Sequence, residues 1–532
     1  MSETRLIGRS ASPGFATGPV VVLANLKAAR RSAGTPAAEA AALRTALATA
    51  AAELAALSVV SGEEAAEMLG FQIALIEDDA LAEPAFAGIA GGLPADIAWC
   101  GALDAEIAGY EAAEDEYFRA RAADIADVRD RVLAALNGGA AALPAAAILA
   151  AHDLPPSRFL GIDWSGGGAI LLAGGSPTSH VAMLARSRGV PMVVGLGIDP
   201  GTLDGEVLVD AGAGAVVLDP APETRRAFEQ ARAAGAAAAA RAVARQSEPA
   251  VTADGTRIAT LINIADPAEL DALDPSICDG IGLVRTEFLF HAGDALPDEG
   301  AQYAVYRRML EWAGERPVTI RTLDAGGDKP ISGLTEDGES NPFLGVRGLR
   351  LSLRQPAVFR VQLRALLRAA VHGRLKLMLP MVTVPAEVAA VRALIDEELA
   401  NLAAAGVAAV RPALGIMVEV PAAALMVGRF EVDFYSIGSN DLTQYVTAAG
   451  RDIGAVADLA DPLNPAVLEL CARVAAYGAA TGREVSLCGD AGGDPVAIPH
   501  LLAAGLRSLS LAPGLLPAAK AAIRACDVGP PP

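Results

Sequence analysis

Aromatic residues, cysteine and histidine are scarce in this sequence of 532 residues. Aromatics make up 4% of it, whereas 53% of the residues are hydrophobic, and much of that share is alanine. This composition indicates helices packed through small side chains, and the length predicts two to four domains. The five cysteines are scattered, without a Cys-x-x-Cys pair or a Cys/His metal spacing, which argues against a zinc site and a disulfide framework.

Long apolar runs are also missing. No run reaches about 18 residues, and the N-terminus, MSETRLIGRS, has no apolar signal core. We therefore expect a cytoplasmic protein without membrane insertion. Basic residues are in deficit, with 42 lysines and arginines against 63 aspartates and glutamates and a formal net charge of −21. This balance argues against nucleic acid as a partner.

The negative charge is concentrated near the N-terminus. Residues 26–140 carry 19 acidic and 8 basic side chains. Such a surface would attract a basic partner over a long range, and salt would weaken the attraction. The alternative is an acidic surface that only keeps the protein soluble.

Changes of pattern divide the chain into four parts. SPGFATGPVVVL near the start is a turn followed by a strand-like run. Ala/Glu/Leu-rich helical stretches follow at 38–58, 63–78, 95–110 and 111–136, and apolar strand runs return from residue 145. We predict an α/β multidomain protein in which a helical bundle is inserted into a small α/β domain. The predicted boundaries are 1–25 with 141–221 for the α/β domain, 26–140 for the bundle, 222–250 for a linker helix and 251–532 for a barrel.

The last part alternates apolar strand runs with helical patterns. The strand candidates are 258–264, 280–285, 317–324, a short one near 345–349, 376–382, 415–420, 434–438 and 485–490. Eight such repeats are typical of a (β/α)₈ barrel, in which the active site lies at the carboxyl ends of the strands. Side chains that can bind a substrate or take part in catalysis fall at those ends, namely Arg285, Arg321, Asp324, Glu419, Asn440, Asp441 and Cys488.

One histidine of the five stands in a turn suited to an anion. GGSPTSHVAMLARSRGVPMVVG leads through Thr178 to His180 at a predicted helix start, with Arg186 further along. Free backbone N–H groups at a helix N-terminus favour an anion, and a neutral imidazole can attack phosphorus. Arg186 could steady phosphoryl oxygens. A purely structural histidine is the alternative.

Three arginines and a lysine form the second candidate set. Arg285, Arg321 and Arg347 occur in GLVRTEFLF, TIRTLDAGGDKP and NPFLGVRGLR, and Lys329 lies in the GGDK loop. Converging on one barrel mouth, they would clamp a phosphate and a carboxylate. Isolated surface charges are the alternative.

Two carboxylates and a thiol complete the candidate site. Glu419 in GIMVEVPAA and Asp441 in IGSNDLTQY would suit Mg²⁺, which keeps waters and takes substrate oxygens, and Asn440 adds a neutral contact. Ion pairs with the nearby arginines are the alternative. Cys488 in SLCGDAGGD could donate a proton or simply pack.

Taken together, these strings resemble enzyme I of the bacterial phosphoenolpyruvate-dependent phosphotransferase system. The similarity runs from SASPGFATGPV to SLCGDAGGDPVAIPHLLAAG, and its most specific pieces include TSHVAMLARSRGVPMVVG, TLDAGGDKP and SIGSNDLTQYV. The resemblance implies that phosphoenolpyruvate phosphorylates His180, and that the phosphoryl group then passes to the phosphocarrier protein HPr. It also implies a homodimer formed through the barrel.

The resemblance assigns a role to each candidate residue. His180 matches the phosphorylated histidine and Cys488 the acid that protonates the enolate to pyruvate. The substrate contacts are Arg285, Arg321, Lys329, Arg347, Asn440 and Arg451, the metal ligands are Glu419 and Asp441, and the residues around the phosphohistidine are Thr178, Arg186 and Arg121. The acidic helices match the dock for HPr. Two positions depart from the family pattern, because Pro177 and Ala126 stand where the family has basic residues.

Two other functions are alternatives to this one. The same chemistry could feed a regulatory phosphorelay or a dihydroxyacetone-kinase phosphorelay. A catalytically inactive regulatory relative would lack a clamp residue or a metal ligand, and none is missing from this sequence.

Overall fold

A computed structural model of the chain describes most of its residues. The described residues are 3–23, 34–60, 63–111, 116–138, 146–177, 179–291, 296–327, 329, 331, 333–335, 339–450, 456 and 459–529. The chain forms two compact units, Met1–Ala233 and Ala234–Pro532.

The first unit contains a mixed sheet of eight strands. In chain order these are β1 (Thr4–Ile7), β2 (Arg9–Ser12), β3 (Phe15–Val22), β4 (Ile148–Ala151), β5 (Ala169–Leu172), β6 (Met192–Val194), β7 (Glu206–Asp210) and β8 (Ala215–Leu218). Their order in the sheet is β1-β8-β7-β3-β4-β5-β6-β2. β3 and β4 are parallel neighbours although they are far apart in the chain, because a helical segment separates them. β4 and β5 are buried along their whole length, as their continuous apolar sequences require.

The helices between β3 and β4 pack on one another. They are α1 (Pro36–Val60), α2 (Glu63–Glu77), α3 (Asp79–Ala90), α4 (Ala95–Glu111) and α5 (Glu116–Leu136). The sequence patterns did not predict α3, which contains Pro84 and Gly88. Its start is stabilised by Asp78, whose side chain accepts the backbone N–H of Ala80 at 2.9 Å.

By length and composition alone, one described helix, Pro36–Ser58, could cross a membrane. Its residues Leu43, Ala46, Ala50 and Leu54 are buried in a core shared with the neighbouring helices. The i, i+3/i+4 spacing of these residues is that of a helix in a bundle. These residues face the neighbouring helices, whereas 22% of the apolar window as a whole is buried.

Three further helices follow in the chain: α6 (Pro156–Leu160), α7 (His180–Arg188) and α8 (Pro222–Ala244). α8 corresponds to the predicted linker helix, and Ala242 is its buried residue. The rest of α8 is largely exposed.

The second unit is a closed parallel barrel. A short strand, β9 (Ala250–Val251), precedes it and pairs antiparallel with the first barrel strand. The barrel strands are β10 (Arg257–Ile264), β11 (Ile281–Val284), β12 (Pro317–Arg321), β13 (Arg374–Leu379), β14 (Ala413–Val418), β15 (Phe434–Gly438), β16 (Glu484–Cys488) and β17 (Ser508–Leu511). Each pairs in parallel with the next, and β17 pairs with β10 to close the ring. The predicted fold class, an α/β multidomain protein with a (β/α)₈ barrel, is confirmed.

Helices surround the barrel and cover its outer surface. They are α9 (Phe288–His291), α10 (Glu299–Ala313), α11 (Leu349–Arg354), α12 (Pro356–Ala369), α13 (Pro385–Ala404), α14 (Pro421–Leu425), α15 (Ser439–Thr447), α16 (Pro465–Thr481), α17 (Ala497–Ala503) and α18 (Leu516–Ala525). Their apolar stripes, such as Leu363 and Leu366 of α12, are fully buried in the large core that includes the strands.

The prediction of a strand near 345–349 is wrong. That segment is a loop leading into α11, and Gly348 has a φ of +59°, a left-handed conformation unsuited to a strand. A Cβ at Gly348 would lie 2.9 Å from Met381 Cγ and 3.0 Å from Asp324 Oδ1. The remaining barrel strand is β17, whose short SLSL sequence gave too weak a pattern to be recognised.

Candidate active site

The candidate residues of the barrel lie at the carboxyl ends of its strands. Arg321 is the last residue of β12 and Cys488 the last residue of β16, while Glu419 directly follows β14 and Arg285 directly follows β11. Asn440 and Asp441 lie in the first turn of α15, which follows β15 directly. Because parallel strands end at one rim of a barrel, these residues share one end of the second unit.

A buried aspartate holds the cations of this rim together. Asp324 Oδ2 lies 3.0 Å from Arg321 Nη1, 3.0 Å from Arg347 Nη2 and 3.8 Å from Lys329 Nζ. Burial alone would raise the pKa of Asp324, but the charges of Arg321 and Arg347 outweigh burial and hold it well below its ordinary value. Asp324 is therefore ionised and fixes two guanidinium groups in one orientation. The sequence marked it as a strand-end residue without assigning it this role.

Glu287 is a second anchor that the sequence did not reveal. Its Oε1 accepts from Arg321 Nη2 and from the backbone N–H of Asp324, both at 3.0 Å. Burial raises the pKa of Glu287, but Arg321 and Lys329 counteract burial and the pKa stays below its ordinary value. Its place in RTEFLF, two residues after Arg285, was the available signal. Glu287 and Asp324 therefore both form ion pairs with the guanidinium group of Arg321.

Arg347 also reaches the predicted metal ligand on α15. Its Nη1 lies 3.4 Å from Asp441 Oδ1 and 3.4 Å from Tyr445 Oη. Tyr445 in turn donates to the carbonyl oxygen of Phe343 at 2.5 Å, which ties the loop before Arg347 to α15. For Asp441, the ion pair considered from the sequence is therefore present.

Glu419 has one oxygen bound and the other without a partner. Oε1 accepts the backbone N–H of Met381 at 2.6 Å, and Met381 has a φ of +56°. Oε2 is buried, and the described residues offer it no hydrogen-bond partner. Burial first, and then the charges of Asp441 and Asp324, raise the pKa of Glu419 to about 8.

These features fit a divalent cation held by few protein ligands. Among the described residues there is no group of three or more His, Cys, Asp or Glu side chains placed to hold a metal. Mg²⁺ does not need one, because it is commonly held by one or two carboxylates together with water and substrate oxygens. The buried, unpartnered oxygen of Glu419 and the neighbouring carboxylate of Asp441 are the kind of ligands that such an ion requires.

The remaining rim residues have distinct environments. Asn440 Oδ1 accepts the backbone N–H of Asp490 at 3.1 Å, and its Nδ2 donates to Asp490 Oδ2 at 3.3 Å. Arg285 is exposed. Cys488 is buried, Ser436 Oγ donates to its Sγ at 3.3 Å, and burial raises the pKa of the thiol to about 11. The Cys488 thiol is therefore protonated at neutral pH.

In the first unit, His180 begins a capped helix. The Ser179 side chain accepts the backbone N–H of Ala182 at 3.3 Å, which makes Ser179 the N-cap of α7. Arg186 Nη1 donates to the carbonyl oxygens of Ala11 and Pro177, each at 2.7 Å, so Arg186 holds the turn before the histidine. The side chains of His180 and Arg121, and the whole of Thr178 and Arg451, lie outside the described residues.

Comparison with known families assigns nearly the whole chain to one enzyme class. Residues 239–528 match the PEP-binding domain of PEP-utilising enzymes. Residues 7–121 match the N-terminal domain and residues 143–214 the mobile domain of the same enzymes.

A phosphoenolpyruvate-protein phosphotransferase of Geobacillus stearothermophilus is 42% identical over 422 residues, which cover 77% of this chain and 73% of that protein. The chain belongs to this family. It is a phosphotransferase of the PEP-utilising type. The protein of the same name from Bacillus subtilis is 39% identical over 419 residues, 77% of this chain and 74% of that one. The resemblance seen in the sequence motifs is thus confirmed.

Among solved structures, the N-terminal domain of "Enzyme 1 - Nitrogen" is 26% identical and covers 42% of this chain and 98% of that chain. Its TM-score of 0.35 is too low to support a structural conclusion.

Proposed function

We propose that the chain transfers the phosphoryl group of phosphoenolpyruvate to its own His180 and then to a histidine of HPr, the first step of sugar uptake by the phosphotransferase system. One observation carries this proposal: the barrel rim holds a buried arginine cluster next to a buried, unpartnered carboxylate oxygen. Arg321 and Arg347 are locked by Asp324, and Glu419 Oε2 has no partner among the described residues. Family membership supports phosphoenolpyruvate as the substrate.

The cations of the rim would bind the anionic substrate. Phosphoenolpyruvate carries a phosphate and a carboxylate, and guanidinium groups bind both in a planar, two-pronged manner. Arg285, Arg321, Lys329 and Arg347 are assigned this role, with Asn440 and Arg451 as further phosphate contacts. Arg321 Nε is buried without a partner among the described residues, so it is one donor available to the substrate.

Glu419 and Asp441 are assigned as the ligands of Mg²⁺. When bound, the ion would neutralise charge on the phosphoryl oxygens and on the enolate that leaves. Gly438 leaves the space that this arrangement needs, since a Cβ there would lie 2.9 Å from Glu419 Oε2.

When the phosphorus–oxygen bond of phosphoenolpyruvate breaks, His180 takes the phosphoryl group and Cys488 protonates the enolate. The imidazole of His180 attacks phosphorus, and the backbone N–H groups at the start of α7 favour the anionic group that His180 then carries. Thr178, Arg186 and Arg121 are assigned to the surroundings of the phosphohistidine. Cys488 gives its proton to the methylene carbon of the enolate, which yields pyruvate.

The acidic helices between β3 and β4 are assigned as the dock for HPr. Glu77, Asp79, Glu83 and Glu106 are exposed on them, and together they would attract a basic binding face. We further propose a cytoplasmic location and a homodimer formed through the barrel. Light scattering at several protein concentrations would test the dimer directly.

Labelling with ³²P-phosphoenolpyruvate and Mg²⁺ tests the central proposal. The label should be acid-labile and base-stable, as a phosphoramidate is, and His180→Ala should abolish it. His500→Ala, which alters an exposed histidine of α17, is the control and should be labelled like the wild type. Label on another residue of the wild type, or none at all, would rule the assignment out.

A further inference from the structure

The thiol of Cys488 ends a short chain of buried hydroxyl groups inside the barrel. Ser486 Oγ donates to Ser436 Oγ at 3.2 Å, and Ser436 Oγ donates to Cys488 Sγ at 3.3 Å. Ser436 lies on β15 and is fully buried, and it is paired in register with Ser486 on β16. The hydroxyl groups therefore reach the sulphur from inside the barrel.

The direction of these hydrogen bonds matters for the thiol hydrogen. Because Ser436 presents its hydrogen to the sulphur, a sulphur lone pair points towards Ser436 and the S–H bond can point elsewhere. Leu283, Met378 and Met417 belong to the same buried apolar cluster as Cys488. No described hydrogen bond competes for the thiol hydrogen. The hydroxyl thus leaves the thiol free to face the substrate.

We propose that Ser436 is a positioning residue for the proton transfer from Cys488, and this rests on the proposed function. In that step the S–H bond breaks and its proton forms a C–H bond with the methylene carbon, using the electron pair of the enolate C=C bond. The enolate oxygen becomes the ketone oxygen of pyruvate. The sulphur keeps the S–H electron pair as a thiolate, which Ser436 stabilises through its O–H until water returns a proton.

The strength of the bond should change during the reaction. A neutral thiol is a weak acceptor, so the Ser436 bond adds little to folding. A hydrogen bond to a thiolate is charge-assisted and about twice as strong as a neutral one. Removing the hydroxyl should therefore affect proton transfer more than stability, and a merely structural serine would show the opposite.

Exchange of the pyruvate methyl hydrogens for deuterium measures the reverse of this step. The wild-type protein in D₂O with Mg²⁺ and pyruvate should exchange them, because the thiolate of Cys488 removes a methyl proton. We expect Ser436→Ala to slow exchange by about tenfold at neutral pH, since the thiolate loses a charge-assisted bond. The pH at which the exchange rate of Ser436→Ala rises should be higher than that of the wild type. Glu419, Arg321 and Arg285 also act on the sulphur, and they are the same in both proteins.

Two further variants separate the hydroxyl from packing. Ser436→Thr keeps the hydroxyl and suits a strand, so exchange should stay within about threefold of the wild type. Ser508→Ala is the control, because Ser508 is buried on another barrel strand and its hydroxyl has no hydrogen-bond partner among the described residues. It should exchange normally. Ser436→Ala adds no atom but leaves the buried Ser486 hydroxyl without its acceptor, so its melting temperature should fall by no more than a few degrees.

The results distinguish this inference from the proposed function. Labelling of His180 precedes the Cys488 step, so Ser436→Ala should still accept label from phosphoenolpyruvate at the wild-type level. Wild-type exchange in Ser436→Ala, or exchange as slow in Ser436→Thr as in Ser436→Ala, would overturn the role of Ser436 and leave the proposed function untouched. Failure of the wild type to accept label would instead refute the proposed function.

Discussion

Arg347 donates hydrogen bonds to both carboxylate oxygens of Asp324. Its Nη2 lies 3.0 Å from Oδ2 and its Nε 3.4 Å from Oδ1, and neither side chain is exposed. A buried pair of this kind orients a guanidinium group before any substrate arrives. Removing one partner of a buried pair is costly, because the other charge is left without compensation.

Asp324→Asn should lower the free energy of unfolding of the barrel by about 3–5 kcal/mol. Arg321 and Arg347 would lose their shared counter-charge, and the KM for phosphoenolpyruvate should rise as they lose their fixed orientation. Chemical denaturation and steady-state kinetics measure the two effects. The control is Asp271→Asn, whose ion pair with Arg308 is exposed and should contribute less than about 1 kcal/mol. Equal effects of the two substitutions would contradict an organising role for Asp324.

Gly438→Ala should weaken the binding of Mg²⁺ without unfolding the barrel. The added Cβ would lie 2.9 Å from Glu419 Oε2 and 3.0 Å from Glu419 Cβ, so the carboxylate must shift. We expect the Mg²⁺ concentration for half-maximal labelling of His180 to rise by about tenfold. Gly514→Ala, in open space, is the control. An unchanged Mg²⁺ requirement in Gly438→Ala would count against Glu419 as a ligand.

The exchange of pyruvate methyl hydrogens should accelerate with pH. The pKa of the Cys488 thiol is raised to about 11, so the acid form needed for the forward step persists throughout the neutral range. Exchange needs the thiolate instead, whose fraction grows about tenfold per pH unit while the pH stays below the pKa. With saturating Mg²⁺ we expect the exchange rate to rise about tenfold per pH unit between about pH 7 and 9. Cys488→Ala should exchange no faster than a blank, and a flat profile in the wild type would exclude Cys488 as the base.

Charge reversal on the acidic helices should slow the encounter with HPr. Asp79→Lys with Glu83→Lys reverses two exposed charges of α3, and stopped-flow association at low salt should slow by several-fold. The difference should shrink at physiological salt, where the screening length is about 8 Å. Glu223→Lys with Glu229→Lys on exposed positions of α8 makes the same change of net charge and is the control. If both pairs slow association equally, only net charge matters and the dock lies elsewhere.

Arg186→Lys should impair phosphorylation of His180 while leaving substrate binding to the barrel unchanged. Lysine keeps the charge, but its shorter side chain does not carry a nitrogen as far as Arg186 Nη1, which makes both 2.7 Å bonds to the carbonyl oxygens of Ala11 and Pro177. We expect labelling to slow by about tenfold, because a misplaced nucleophile reacts slowly. Arg188→Lys, on the same helix and stacked near Phe159, should label at the wild-type rate. Normal labelling in Arg186→Lys would show that the turn before His180 holds without this tether.

The sequence alone was sufficient for the fold class and for the rim of the barrel. Strands buried on both faces are continuous apolar runs, and parallel strands must end at one rim, so the strand pattern by itself assigns residues such as Arg321, Glu419 and Cys488 to one end. The same logic failed at 345–349, because Gly348 has a left-handed backbone that an apolar pattern does not reveal. It also missed β17, because its short SLSL sequence is not a continuous apolar run although all four residues are buried.

Only the tertiary structure decided how these residues are held. Glu287 contacts Arg321 from another strand end, Ser436 contacts Cys488 on the neighbouring strand, and Met381 donates its N–H to Glu419 from a left-handed backbone. None of these contacts joins residues that are close in the chain. Local sequence patterns record the period of a strand or helix, whereas such contacts depend on which strands become neighbours and on the space that residues such as Gly438 leave between them.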